Sequence, residues 1–379
     1  MDFKYVLGPI VLQHLFLIIL ICMTYKYSCL PSQRLQMERT PQKCSSGFVW
    51  FSSLLIVLYA VFAYAEADTY YYMDLYEENL KSIGPIHVEP VHQWVMKNLS
   101  FDYFSWRFIT WGTAVLLMVL TIKRLHLDFK ISMFAVALFY LLEISRSREV
   151  LGISMFFFAA SLFFYPSRKR FWSFLLATFL VVASFYFHRA MFAAIALIVF
   201  MPLKLKKWYV YILLAAFPFL VVAVGHVVDY IQMGNLLLQY DSLGIADKAE
   251  TYANQAASEA NFFGQVSNFL QYSPIIFGLC AATKKIVFGH FPVPKYIYAF
   301  YMYWFFATYI SFLFYFQDSS SFLFSRFLAF GYFPMVVVLS YIYCRCGIRR
   351  IDKWTIGLAM FWGQFYFLYH YYQIYKGFL

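Results

Sequence analysis

Polar residues interrupt this chain at wide intervals rather than in alternation. Apolar runs of about 17–22 residues recur between short polar turns, and each is long enough to cross a hydrocarbon layer of roughly 30 Å as an α-helix. The pattern predicts helices over about 5–25, 47–65, 104–122, 129–145, 150–165, 171–187, 189–203, 208–228, 263–282, 296–316, 326–343 and 354–372. That is an all-α polytopic membrane protein of about twelve transmembrane helices. A membrane barrel would need period-2 alternation along each strand, and the sequence does not carry it. The first run has Lys4 ahead of it but no small-residue cleavage site, so it is expected to be retained as a helix.

Composition agrees with the pattern. Of 379 residues, 63% are hydrophobic and 13% charged, with 46 Phe and 33 Tyr, more apolar surface than a soluble domain could bury. The net charge of +11 changes meaning once its distribution is seen. Twenty of the 30 Lys and Arg fall in alternate loops, among them Lys123, Arg124, Arg168, Lys207, Lys284 and Arg349. Only Glu38, Asp128 and Asp352 accompany them. This is the positive-inside arrangement: the basic loops face the cytoplasm and both termini are expected to be periplasmic. The basic excess is a topology signal, not a nucleic-acid footprint. The six cysteines lie at or near the cytoplasmic side, where no disulfide framework is expected, and Cys344-Arg-Cys346 is too short and isolated for a metal site.

The chain reads as one integral membrane domain, 1–379, with two long outer segments. The first, 66–103, is acidic and aromatic and too polar to span. The second, 229–262, has Ala-rich helical composition from about Gly244, as a helix on the outer surface would. The cytoplasmic loops are short, so function is expected on the outer face.

On that face several arginines break the positive-inside trend. Arg146 and Arg148 lie in "LLEISRSREVLGI", and Arg107, Arg189 and Arg326 each lie near the outer end of a predicted helix. Snorkelling to the interface accounts for any one of them. Five at one depth, on different helices, suit a diphosphate whose lipid tail stays in the bilayer, because the guanidinium fork binds phosphate bidentately. His188 follows in "VASFYFHRAMFAAI" as a candidate general base, with Arg189 beside it favouring the neutral ring. The stretch Glu66-Ala67-Asp68-Thr69-Tyr70-Tyr71-Tyr72 offers carboxylates to orient hydroxyls, take a proton or bind a divalent ion, and tyrosine faces for sugars; a solvated acidic loop with an interfacial aromatic belt is the plainer reading. Glu89 and Asp318 are further outer acidic candidates.

In this order the residues resemble the EpsG/Wzy-type family of bacterial exopolysaccharide and O-antigen polymerases. The matching pieces are "EADTYYYM", "VEPVHQWVMKNL", "SREVLGISMFFFA", "VASFYFHRAMFAAIALI" and "SSSFLFSRFLAFGYFPMVVVL". Two positions depart from the pattern: "EAD" replaces a glycine-containing form at Asp68, and Glu149 replaces a glutamine. The resemblance supports Asp68, Tyr72, Glu89, Pro90, Arg148, His188 and Arg326; Arg146 and Arg189 are added from charge alone. It implies a GT-C-like glycosyltransferase in the bacterial inner membrane, joining repeat units on undecaprenyl diphosphate at the periplasmic face. On this expectation His188, Arg148 and Asp68 are catalytic, with His188 taking the acceptor proton. Arg146, Arg189, Arg326, Tyr72, Glu89 and Asp318 bind substrate. Neither metal nor cofactor is called for. The implied partners are the undecaprenyl-diphosphate-linked oligosaccharide, membrane lipid, a chain-length regulator and a flippase.

Three other readings stay open at this stage. A transferase with a polyprenyl-phosphate monosaccharide donor would use Glu66 and Asp68 for a metal. A lipid-linked oligosaccharide flippase would place its charges near the midplane, in paired halves with broken helices. A purely structural subunit of an export complex would leave the outward arginines without a task.

Overall fold

The computed structural model describes residues 46–62, 72–73, 75–76, 89–139, 147–164, 170–188, 190–233, 275–315 and 321–346, together with Leu15, Ile18 and Ile19. Among the described residues the chain is helical, with no strand. The helices are α1 (Ser46–Val61), α2 (Pro90–Asn98), α3 (Tyr103–Arg124), α4 (Phe129–Phe139), α5 (Ser147–Phe164), α6 (Arg170–Phe187), α7 (Met191–Ala196), α8 (Lys207–Met233), α9 (275–283), α10 (Lys295–Tyr315) and α11 (Ser321–Cys346). Three are long and apolar enough to cross a membrane: Tyr103–Arg124, Lys207–His226 and Lys295–Tyr315. Of the expected helix over 5–25 only Leu15, Ile18 and Ile19 are described, all as helix; residues 263–274 of the expected helix over 263–282 and the whole of 354–372 lie outside the described residues.

Local chemistry sets the helix ends. Asp102 caps α3: its Oδ1 accepts from Ser105 N at 2.7 Å, and Ser105 Oγ accepts from Asp102 N at 3.0 Å. At the far end Lys123 and Arg124 sit where the helix dipole favours cations. The chain then turns through His126 at φ 52°, and Asp128 Oδ1 accepts from Ile131 N at 3.0 Å to start α4. The run expected over 189–203 is not one helix. It is six residues of α-helix followed by a 3-10 turn, Leu197–Phe200, which together rise about 17 Å and so fall short of a full span.

Packing fixes the direction of each helix. Tyr315 meets Phe324 at 4.8 Å between ring centroids, and the Trp304 side chain comes so close to Gly331 that a Cβ there would stand 3.1 Å from Trp304 Cδ1, so α10 and α11 are antiparallel. Tyr298 Oη exchanges hydrogen bonds with Leu205, accepting from its N–H at 2.8 Å and donating to its carbonyl at 3.3 Å. Tyr303 Oη donates to Ala194 O at 2.9 Å. These two tyrosines hold α7 and the turn after it antiparallel to α10. Gly152 of α5 lies against Met191, and Arg124 Nε donates to Ser161 O at 3.2 Å, so α3, α5, α7 and α11 all run the same way. One end of the bundle therefore carries Arg124, Lys204, Lys206, Lys207 and Lys295. The other carries Glu89, Arg148 and His188.

The main apolar core fills the space between α1, α3, α5, α10 and α11, with Trp111, Phe157, Phe300, Trp304 and Phe330 essentially enclosed. The outer faces of α6 and α8 are apolar too, with Phe171, Trp172, Phe179, Tyr211, Leu214 and Phe219 exposed. Water would not tolerate such a continuous surface; lipid would.

Candidate active site

Sequence pattern left the outer segment 66–103 as a polar loop. Its described part is a docked cap with a small core of its own. Pro90 opens α2, where a missing N–H costs nothing. The helix turns His92, Val95 and Met96 inward. They pack with Tyr72, Leu75, Tyr103 and Trp106, a cluster separate from the main core, and Phe187 at the end of α6 closes it. Tyr76 Oη and Ser100 Oγ hydrogen-bond at 2.6 Å and pin the segment's two halves together.

Arg148, on the first turn of α5, projects into this cap. Its Nη1 donates to Glu89 Oε2 at 2.7 Å. Its guanidinium lies 5.6 Å from the centroid of the Tyr72 ring, a cation–π distance. Tyr72 in turn packs on Trp106 with centroids 4.8 Å apart. Tyr72 is 3% exposed, so its ring supports Arg148 rather than offering an open face to a sugar. The ion pair itself stays partly open, at 16% for the arginine side chain and 10% for the glutamate.

His188 belongs to the same neighbourhood through two contacts. Phe187, the residue before it, meets the His92 ring edge-on at 5.1 Å. Gly152, one turn below Arg148, faces Met191 and the Ser184 carbonyl; a Cβ there would come 2.9 Å from Met191 Cγ. That same Ser184 carbonyl accepts from His188 N at 3.0 Å, so the absence of a side chain at Gly152 lets α5 approach the histidine turn. His188 Nδ1 accepts from Ala190 N at 3.1 Å. A neutral imidazole that accepts at Nδ1 carries its proton on Nε2. One ring nitrogen of His188 is thus taken by the backbone, and the side chain is buried.

Arg326 is described through its backbone. Phe157 of α5 stacks on Phe333 of α11 at 5.3 Å. Arg148 stands about 13 Å above that contact along α5, and Arg326 about 10 Å above it along α11. The two arginines thus share an end of the bundle at similar depth. Asp68, Arg146, Arg189 and Asp318 lie outside the described residues, as does Glu66. Arg107, which the sequence grouped with the outward arginines, is fully enclosed. Its Nε and Nη2 both donate to Ala60 O, at 2.9 and 2.6 Å, and its Nη1 to Tyr103 Oη at 2.9 Å. Ala60 is in the last turn of α1, where carbonyls lack helical partners, so Arg107 caps that helix with a positive charge.

His92 escaped notice in the sequence. Its ring is wholly buried between Trp106 and Phe187, and neither nitrogen has a hydrogen-bond partner. Burial, with the Arg148 charge adding to it, holds its pKa well below the usual histidine value. The only sequence signal was a histidine on the inward stripe of a short amphipathic helix. Among the described residues no three His, Cys, Asp or Glu side chains cluster as a metal site would need.

The EpsG family model matches residues 48–379, most of the chain. The chain belongs to the EpsG family. EpsG proteins are Wzy-type polysaccharide polymerases, so this is a membrane protein of the polysaccharide-polymerase class. No curated protein and no solved structure matches it.

Proposed function

We propose that this EpsG protein joins oligosaccharide repeat units carried on undecaprenyl diphosphate, at the periplasmic face of the bacterial inner membrane, with lipid diphosphate as the leaving group. The observation that carries this reading is Arg148, held between Glu89 and Tyr72 in a partly open cap at the end of the bundle remote from the basic loops. A guanidinium poised beside an exchangeable carboxylate suits a phosphate oxyanion. Arg148 and Arg326 hold the diphosphate. His188 donates its Nε2 proton in a hydrogen bond to the oxygen on which charge develops as the anomeric bond breaks. Asp68, Arg146, Arg189 and Asp318 bind sugar hydroxyls or phosphate. The donor is already activated, so no nucleotide is consumed.

The test is reconstitution. Purified protein in liposomes, supplied with a diphosphate-linked repeat unit and no nucleotide, should produce a ladder of longer lipid-linked chains on a gel. A demand for a nucleotide sugar or a monophosphate-linked donor would refute the reading.

A further inference from the structure

Glycosidic bond formation at a sugar hydroxyl needs a group to take the hydroxyl proton. His188 has its Nδ1 engaged by the Ala190 N–H, which leaves that nitrogen no lone pair for a substrate proton. His92 is sealed inside the cap, and Glu149 is 2% exposed. Glu89 is different. It stands at the N-cap position of α2, yet its side chain makes no capping hydrogen bond, so the helix does not depend on its carboxylate. It reaches Arg148 instead, in an ion pair that remains partly open.

We propose that Glu89 is the proton acceptor for the attacking sugar hydroxyl, and that the donor's diphosphate frees it for that role by drawing Arg148 away. This rests on the reading that the donor is a lipid diphosphate. A diphosphate carries more charge than a carboxylate and offers more oxygens to the guanidinium fork, so it wins Arg148. A guanidinium-bound carboxylate has its lone pairs engaged; one released beside a diphosphate anion takes a proton more readily. The base is thereby armed only when the donor is seated, which protects the donor from water in the meantime.

The step balances. The acceptor hydroxyl oxygen attacks the anomeric carbon, and its proton passes to the Glu89 carboxylate. The bond from the anomeric carbon to the diphosphate oxygen breaks, and its electron pair leaves with the lipid diphosphate. Arg148 and the Nε2–H of His188 hold that anion. When it departs, Glu89 returns its proton to water and Arg148 closes on it again. Glu89 sits on α2, a helix anchored by His92, Val95 and Met96, so the carboxylate is presented from a packed element rather than a loose loop.

The experiment compares the full-length protein with Glu89→Gln, which keeps size and an oxygen for Arg148 but takes no proton, and with Glu89→Asp. Turnover is measured on a diphosphate-linked repeat unit across pH, and binding is measured with farnesyl diphosphate as the probe. Glu89→Gln should lose about 100-fold or more in turnover at saturating donor. It should also lose the acid limb of the pH profile, and bind farnesyl diphosphate at least as tightly as the wild type because no carboxylate competes for Arg148. Glu89→Asp should recover part of the rate together with the acid limb. Turnover of Glu89→Gln within about threefold of wild type would overturn the proposal. So would a loss of turnover that comes with weakened farnesyl diphosphate binding, which marks a purely structural ion pair. If the wild type itself fails to elongate a diphosphate-linked unit, the reading beneath the proposal falls and takes the proposal with it.

Discussion

Arg148 and Glu89, 59 residues apart in sequence, meet at 2.7 Å and join the first turn of α5 to the N-cap of α2. The pair ties the cap to the bundle and, on the proposed function, keeps a guanidinium where a phosphate can exchange for the carboxylate. Coulomb energy alone does not require arginine here; the fork does.

Arg148→Lys should therefore fold and express but lose at least about tenfold in polymerisation, since an ammonium cannot grip two phosphate oxygens at once. Product chain length by gel, at matched expression, checks it. An arginine that merely snorkels predicts near-normal polymer from the lysine variant.

On the proposed function His188 supplies a donor, and its variants separate that role from proton abstraction. His188→Gln keeps an N–H at similar reach, whereas His188→Ala does not. The alanine variant should fall by about 10²–10³-fold, as loss of one oxyanion donor does. The glutamine variant should retain clearly more. Steady-state turnover of the two at one protein concentration decides the matter: equal loss from both would restore histidine to the role of base.

Among the described residues the apolar runs of the sequence coincide with helices, 189–203 apart, but the contacts between them were not legible. Helices α3 and α10 were legible because unbroken apolar stretches end in Lys123-Arg124 or begin at Lys295. Helix α2 was not. It is nine residues long and amphipathic, and its inward stripe is buried by Tyr72, Trp106 and Phe187, which are remote in sequence. Arg148 and Glu89 were each singled out, but nothing local pairs them; the acidic neighbours of Arg148 along the chain are Glu143 and Glu149. Arg107 was misread for a plainer reason. Its partner is the Ala60 backbone carbonyl, and a carbonyl leaves no mark in a sequence. The contact between His188 Nδ1 and the Ala190 N–H was hidden in the same way.

Arg107 should accordingly behave as structure, not as substrate ligand. Arg107→Leu leaves Ala60 O and Tyr103 Oη without their donor inside the fold, at a cost of about 1–3 kcal/mol for each buried group left unsatisfied. Melting temperature in detergent should drop, while activity per folded molecule stays within a small factor of wild type. Normal stability with lost activity would put Arg107 back among the phosphate-binding arginines.

His92 gives the cap an acid sensitivity. In the folded protein burial and Arg148 hold its pKa well below 6.5, whereas in the unfolded or undocked segment it titrates near that ordinary value. The undocked form thus binds a proton that the docked form refuses. Cap stability is full above about pH 6.5 and falls as pH drops below it towards the depressed folded value. The protection factor for amide exchange over α2, corrected for the intrinsic slowing of exchange at lower pH, should fall between pH 7.5 and pH 5.5, and His92→Phe, which keeps the ring packing without the titration, should remove that fall. An acid loss of protection that persists in His92→Phe would assign it to another group.

Central to this account is that a lipid diphosphate leaves each time a sugar linkage forms at the Arg148 site. The direct measurement counts both products in one reaction: lipid diphosphate released, by phosphate assay after extraction, and linkages formed, from the gel ladder. The account predicts one released for each linkage in the wild type, with both falling together in Arg148→Lys. Linkages formed without lipid diphosphate release, or release unaffected by Arg148→Lys, would contradict it.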